Sequence, residues 1–400
     1  MRVAFPTTRF LDPDNVKSWS GLPFFIRRAL ENAGLETVTM PLIEDLSGGG
    51  RWTRFLYWRW LHGKRYLRHC DRKLLQSYAR QLEQHLAEYP VDIIFSPSTW
   101  PIAYLETDLP VVFWTDACFA GMLDFYGAFT DVAPPSIQAG HAAEQAALDR
   151  CTRAIYSSAW AAQLAAQNYR IKPSKISVVS FGGNLLEPPT VEEARAGVRG
   201  RNMSQCNLLL VGVDWKRKGA DVAVETVEAL NAAGLKARLT VIGCKPPASR
   251  QLPACVEVIP FIGKDTIEDR RRLGEIFARS HFFIMPSRAE AFGLVFAEAS
   301  AFGVPCLATK VGGIPSAVVD DINGRLFPLE AGGAEYADYI LKHMRKPVRY
   351  LQLALRTAED AATRLSWDAA GRKVAEIFND IVRQRPSAAK AEWTVGAAKP

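Results

Sequence analysis

The sequence predicts an α/β protein of two domains, each a parallel sheet with helices on its faces, and three observations carry that expectation. A chain of 400 residues exceeds what one hydrophobic core usually serves. Short apolar runs at 3–5, 37–40, 92–95, 111–114, 154–156 and 176–179 alternate with stretches of helical periodicity, and the rhythm resumes at 207–212, 239–243, 256–263, 282–285 and 306–308. Between the two series, the pair Gly182-Gly183 and then Pro188-Pro189 read as hinge and linker chemistry.

Composition narrows the function classes. With 48% hydrophobic and 23% charged residues the chain is an ordinary globular protein. A net charge of +7 and a pI near 9.0 suit an anionic partner, either a nucleotide diphosphate or an acidic membrane surface. Neither zinc-finger spacing nor an aromatic-basic RNA-binding signature occurs, so no nucleic acid is expected. The seven cysteines are odd in number, widely spaced and mostly inside apolar runs, which predicts buried thiols in a reducing compartment. No C-x-x-C pair or His/Cys cluster suggests a metal. The first residues read directly as a strand, not as a signal peptide. The longest apolar candidate, 111–129, carries Asp116 and Asp124 and so does not read as a membrane span. The expected location is cytoplasmic, with contact at the inner face of the membrane as the variant of that reading.

In the first half, a polar loop after the first strand ends in Trp19-Ser20-Gly21 and feeds a helix over 22–33. A loop of this kind at a helix start is either a phosphate or acceptor cradle or a structural turn. Residues 51–73 hold eight cations against one aspartate, with tryptophan and tyrosine interleaved. The aromatics fall on no single face, which favours a helix pair whose rings fill the core while Lys and Arg stems cover apolar surface. The other reading is peripheral contact with an anionic membrane. The buried run 111–114 places Thr115 and Asp116 at the crevice edge of the sheet, where Asp116 either meets a substrate hydroxyl or caps the next helix. A helix over 138–150 and a strand ending at Ser157 follow, with Ser158 opening the next helix.

In the second half, the strand 207–212 leads into a loop with Lys216, Arg217, Lys218 and Gly219. The order of glycine and lysine excludes a P-loop, and no G-x-G-x-x-G follows any strand. Three cations beside a helix start could gather a diphosphate, or simply be solvated. A helix over 267–279 precedes the strand 282–285, and the polar run from Ser287 turns into a helix carrying Leu294, Val295, Phe296 and Ala299. The amides of Phe292, Gly293, Leu294 and Val295, unpaired in a first turn and at the positive end of the helix dipole, face the crevice where open α/β sheets bind ligands. Glu290 and Glu298 both sit at this helix entrance, as site residues or as acids that favour a helix start. The pair Gly312-Gly313 and the run from Asp321 to Phe327 complete the stretch.

This ordered set, unbroken from 280 to 327, resembles the nucleotide-sugar half of retaining glycosyltransferases of family 4, whose signature is two glutamates separated by seven residues. The resemblance implies the GT-B arrangement: two Rossmann-like domains with parallel sheets facing across a cleft. It assigns 1–183 to an acceptor-side domain, 184–365 to a nucleotide-sugar domain and 366–384 to a helix returning to the first, with 385–400 as a disordered tail. It implies a metal-independent retaining transfer of a hexose from a nucleoside-diphosphate sugar to a glycan or lipid-linked acceptor, by front-face attack, with no cofactor. Glu298 would take the ribose hydroxyls and Glu290 those of the donor sugar. Lys218 and the amides of 293–295 would stabilise the departing diphosphate, and the base would lie near 258–261, beside Phe261. The chain departs from the family at three points. Val213 stands where an arginine is common, with Lys216 or Arg217 as substitutes; Asp116 stands near the family's sugar-contacting histidine; and Gly21 is single where the family often has a glycine pair. Val213 and Asp116 motivate a competing expectation, a non-catalytic nucleotide-sugar-binding protein. An epimerase or a pyridoxal-dependent phosphorylase on the same architecture is a further alternative.

Overall fold

The computed structural model describes residues 1–45 and 50–384. The first sheet contains β1 (Arg2–Thr8), β2 (Glu36–Ile43), β3 (Ile93–Ser96), β4 (Val111–Thr115), β5 (Arg153–Tyr156) and β6 (Ile176–Val178) in the order β2-β1-β3-β4-β5-β6. The second contains β7 (Cys206–Val211), β8 (Ala237–Ile242), β9 (Val256–Ile259), β10 (Phe282–Met285), β11 (Cys306–Thr309) and β12 (Gly324–Phe327) in the order β12-β11-β10-β7-β8-β9. All pairings are parallel. Helices cover both faces of such sheets, so their strands are near-continuous apolar runs; Phe282–Met285 and Val111–Thr115 are buried along their whole length.

The two strand orders fix where ligands can bind. The order in which successive strands are added reverses between β1 and β3 in the first sheet and between β7 and β10 in the second. Loops leaving the carboxyl ends of strands at such a switch point diverge and open a crevice. The loops after β1, β7 and β10 are those that carry Gly21, Lys218 and Glu290.

The joint between the domains is packed tightly. A Cβ on Gly182 would lie 2.3 Å from the Trp367 amide nitrogen, and one on Gly183 would lie 2.8 Å from that of Glu298. The glycine pair read as a hinge is therefore also required by close backbone approach. Around it, the rings of Trp114 and Phe181 are 5.1 Å apart and those of Phe181 and Trp367 are 5.5 Å apart. The indole nitrogens are satisfied: Trp114 donates to the Val179 carbonyl at 2.9 Å and Trp367 to Asn184 Oδ1 at 3.0 Å. From this joint the helix Trp367–Arg383, capped by Ser366, returns to the first domain. It lies so close to the helix Leu22–Asn32 that a Cβ on Gly371 would meet the Ala29 carbonyl oxygen at 2.2 Å.

One expectation changes. The aromatics of 51–73 do not fill the core: on the helix Gly50–Leu61, Trp52, Tyr57 and Trp60 are exposed and Phe55 and Trp58 half-buried, while Tyr66 is the segment's buried ring among the described residues. The adjoining helix Arg72–Glu88 supplies Leu75, Ala79 and Leu82 to the core of the first domain instead. The tail expected at 385–400 lies outside the described residues. All seven cysteines are free, six of them buried, and burial pushes the Cys306 thiol up to about 12, which keeps it protonated and unreactive. No helix among the described residues is long and apolar enough to cross a membrane.

Candidate functional site

The loops after β7 and β10 are laced together. Gly219 has φ +70°, and a Cβ there would lie 2.1 Å from the Pro286 carbonyl oxygen, so only glycine permits the approach. The Arg288 amide donates to the Arg217 carbonyl at 2.8 Å, and the Arg288 guanidinium takes both oxygens of Asp221 at 3.0 and 2.7 Å. This lacing aims two cations at one acid. Lys218 Nζ donates to Glu290 Oε2, while Arg217 Nη1 lies 3.4 Å from the same oxygen and donates to the Ala289 carbonyl at 3.1 Å. The side chains of Lys218 and Glu290 are 10% and 12% exposed, so their interaction is little weakened by water. Asp214 Oδ2, on the exposed side, lies 3.9 Å from Arg217 Nε, so Arg217 is shared between Asp214 and Glu290 while Lys218 is paired with Glu290.

Three glycines set the height of this loop. The Gly313 amide donates to the Glu290 carbonyl at 3.0 Å, and a Cβ on Gly313 would lie 1.7 Å from the Ala291 carbonyl oxygen. Gly312, at φ +55°, is equally close under Glu290. Gly293, at φ +85°, caps the helix Leu294–Ala301 in a left-handed conformation. Leu294 and Val295 are half-buried, whereas the Phe292 ring is buried against Phe181 at 5.5 Å, so Phe292 can offer a ligand only its main chain. Glu298, on the second turn, is buried and paired with Lys264, whose Nζ lies 2.6 Å from Oε1 and also donates to the Asn184 carbonyl at 3.0 Å. The two signature acids therefore belong to two separate ion pairs on one loop-helix unit.

The first domain closes the site from above. Asp116, directly after β4, is half-buried, and its carboxyl is pushed up to about 6, first by burial and then by the negative charge of Glu290. The Tyr126 hydroxyl accepts a hydrogen bond from the Ala291 amide at 2.7 Å, and the Arg217 guanidinium lies 5.5 Å from its ring centroid. Burial, Glu290 and Asp116 all raise the Tyr126 hydroxyl, so it stays protonated. Trp19, Ser20 and Gly21 form a left-handed run with φ of 40°, 58° and 84°, strained at its two non-glycine members. Asn184 holds that run from the joint by donating to the Ser20 carbonyl at 2.8 Å.

Of the residues predicted from sequence, Arg217, Lys218 and Glu290 are in direct contact, Asp116 faces them, and Glu298 and Gly293 share their loop-helix unit. Lys216 is exposed, with its carbonyl held by Arg288, so Arg217 is the cation that reaches Glu290. Val213 and Phe261 are 66% and 72% exposed. An exposed Phe261 ring beyond β9 is free to stack on a planar group. Lys264 and Tyr126 escaped the sequence reading. A cation directly after Gly263 was a usable signal for Lys264, whereas nothing local marks Tyr126. Among the described residues no group of three His, Cys, Asp or Glu side chains could hold a metal ion. A cavity of about 450 Å³ at the joint, lined by Phe25, Arg28, Leu186, Trp367 and Arg372, contains none of these site residues.

Residues 205–346, from β7 past β12, match the family described as Glycosyl transferases group 1. The family match spans the loops after β7 and β10. That match lies in the second domain and covers about a third of the chain, so the second domain is similar to the group 1 glycosyltransferases. Among relatives, it is similar to a D-inositol 3-phosphate glycosyltransferase of Xylanimonas cellulosilytica, 31% identical over 226 residues, 53% of each chain. The matched part thus spans about half the length of that relative. Among solved structures, it is similar in fold to a sucrose-phosphate synthase of Thermosynechococcus elongatus, with TM-score 0.66, 18% identity, and coverage of 96% of this chain and 100% of the other. It is likewise similar to Anabaena Alr3699/HepE, solved in complex with UDP-glucose, with TM-score 0.59, 15% identity, and coverage of 95% and 100%. The architecture is GT-B.

Proposed function

We propose that the chain is a retaining glycosyltransferase that moves a hexose from a nucleoside-diphosphate sugar to a glycan or lipid-linked acceptor. The observation that carries this reading is the convergence of Lys218 and Arg217 on Glu290 at the switch point of the second sheet. A diphosphate leaving group develops charge as the glycosidic bond breaks, and two preorganised cations with the amides of 293–295 would stabilise it there. In this reading those cations do what a divalent metal does in other transferases. Glu290, released when the diphosphate takes its cations, would accept hydrogen bonds from the donor sugar, and Glu298 would read the ribose diol. Phe261 would flank the base.

Asp116 enters from the acceptor side, where a carboxylate ionised at neutral pH would orient the acceptor hydroxyl or take its proton. With no carboxylate assigned as a nucleophile, the reading is front-face attack, the hydroxyl entering on the side from which the diphosphate leaves. The UDP-glucose complex of a protein with this fold supports a nucleotide-sugar donor.

The competing reading, binding without transfer, draws on exposed Val213 and on Asp116 at positions where the family usually has other residues. Donor binding measured by calorimetry, alongside release of nucleoside diphosphate with and without a panel of glycan and lipid acceptors, separates the two. Transfer in the intact protein that falls about 10²–10³-fold in Lys218→Ala is the expected result. Tight donor binding with neither transfer nor hydrolysis would favour the binding protein.

A further inference from the structure

The helix Gly50–Leu61 stands apart from the transfer site and is built in reverse. An amphipathic helix on a globular body turns its apolar stripe inward. Here Trp52, Leu56 and Trp60, which recur every four residues and so share one face, are 57%, 47% and 79% exposed. Tyr57 and Leu61 extend that face and are exposed as well. Phe55 and Trp58, half-buried, are the side that meets the protein. Arg54 and Arg59 border the apolar arc on its two edges, as 100° per residue requires.

Cations continue beyond the helix. Arg65, Arg68, Arg72 and Lys73 are exposed, and the Arg68 guanidinium lies 4.3 Å from the Trp52 ring centroid. At the foot of the helix a cavity of about 360 Å³ is lined by Arg54, Tyr66, Arg72, Lys73 and Gln76, together with Asp71, which binds Arg54 at 3.1 Å. Across 51–73 the tally is eight cations to one aspartate.

We propose that this face docks on an anionic lipid bilayer, with Trp52, Leu56 and Trp60 entering the boundary between headgroups and acyl chains and the flanking cations binding lipid phosphates. Charge complementarity selects this occupant: an exposed aromatic and aliphatic ridge bordered on both sides by arginine matches an apolar layer lying under a sheet of anions. The ridge is a single helix face, so it can enter a planar interface along its length. Docking there would bring the enzyme to acceptors held in the membrane.

The test is co-sedimentation of the full chain with phosphatidylcholine vesicles containing about 30% phosphatidylglycerol, against pure phosphatidylcholine. Binding to the anionic vesicles, weakened by salt, is expected, and brominated lipid should quench tryptophan fluorescence. Combined Trp52→Ala, Leu56→Ala and Trp60→Ala should lose at least about tenfold in partitioning. Arg59→Gln with Arg65→Gln should lose about fivefold for each cation removed. All these side chains are exposed, so the thermal unfolding of both variants should match the parent. The inference is overturned if the parent ignores anionic vesicles at low salt, if the triple variant binds them equally well, or if brominated lipid leaves the fluorescence unchanged. It is equally overturned if the helix instead mediates self-association, or binds single-stranded RNA, without vesicle binding.

Discussion

Glu290→Gln should separate the two jobs assigned to the loop after β10. In the free protein the Glu290 carboxylate holds Lys218 and lies 3.4 Å from Arg217, so an incoming diphosphate must take both cations away from it. A hydrogen bond to a charged group is worth about 1.5–3 kcal/mol, and glutamine keeps the shape while removing most of that competition. Affinity for a nucleoside diphosphate should therefore hold or rise by up to about tenfold, since 1.4 kcal/mol is one decade. Turnover should move the other way and fall about 10²–10³-fold, because the hydroxyls of the donor sugar lose their ionised acceptor. Lys218→Ala should weaken diphosphate binding and turnover together. Calorimetry with the nucleoside diphosphate and a transfer assay with the nucleotide sugar read the two effects independently, with thermal unfolding as the check that each variant is folded. If Glu290→Gln weakens diphosphate binding as much as Lys218→Ala does, the carboxylate is not competing for those cations and the assignment of roles is wrong.

Further outcomes follow from the same geometry. Glu298→Ala should weaken donor binding and abolish discrimination against 2′- or 3′-deoxyribose donors, so an unchanged preference in competition titrations would remove Glu298 from the ribose. Tyr126→Phe leaves the Ala291 amide without its acceptor at 2.7 Å and should cost about 1–3 kcal/mol, seen as faster hydrogen exchange at Ala291 and slower transfer; unchanged exchange would show that the contact does not hold the domains. For Asp116, raised to about 6, transfer should decline as pH falls through that value, and Asp116→Asn should remove that limb of the profile. The sign for stability is opposite. A carboxyl whose folded pKa is raised favours the folded state below its unfolded value and loses that advantage as pH rises through about 6, so Asp116→Asn should raise the melting temperature at pH 8 relative to the parent, and less so at pH 4.

Legibility followed the range of the interactions involved. The strand 282–285 and the helix 267–279 were readable to the residue because apolar runs and periodicity are local signals. The cluster of Lys218, Arg217 and Glu290 was readable in part, since strand-loop-helix order and the positions of Gly219 and Gly293 place those loops at the crevice. Which of Lys216 and Arg217 turns inward was not, because Arg288, far along the chain, decides it through hydrogen bonds to the carbonyls of both. Tyr126 was invisible for a similar reason: its role exists only once the domains close, across 165 residues of sequence. The outward ridge of Gly50–Leu61 was misread as core because aromatics on every side of the helix mark no one face, and only the filled space beneath shows which of them point outward.

The most direct measurement is the crystal structure of the intact protein soaked with a nucleoside-diphosphate sugar. The expected density has the diphosphate within hydrogen-bond distance of Lys218 Nζ and the amides of 293–295, the ribose on Glu298 and the hexose on Glu290. Density for the nucleotide in the cavity lined by Phe25 and Trp367, or a diphosphate held away from Lys218, would contradict it.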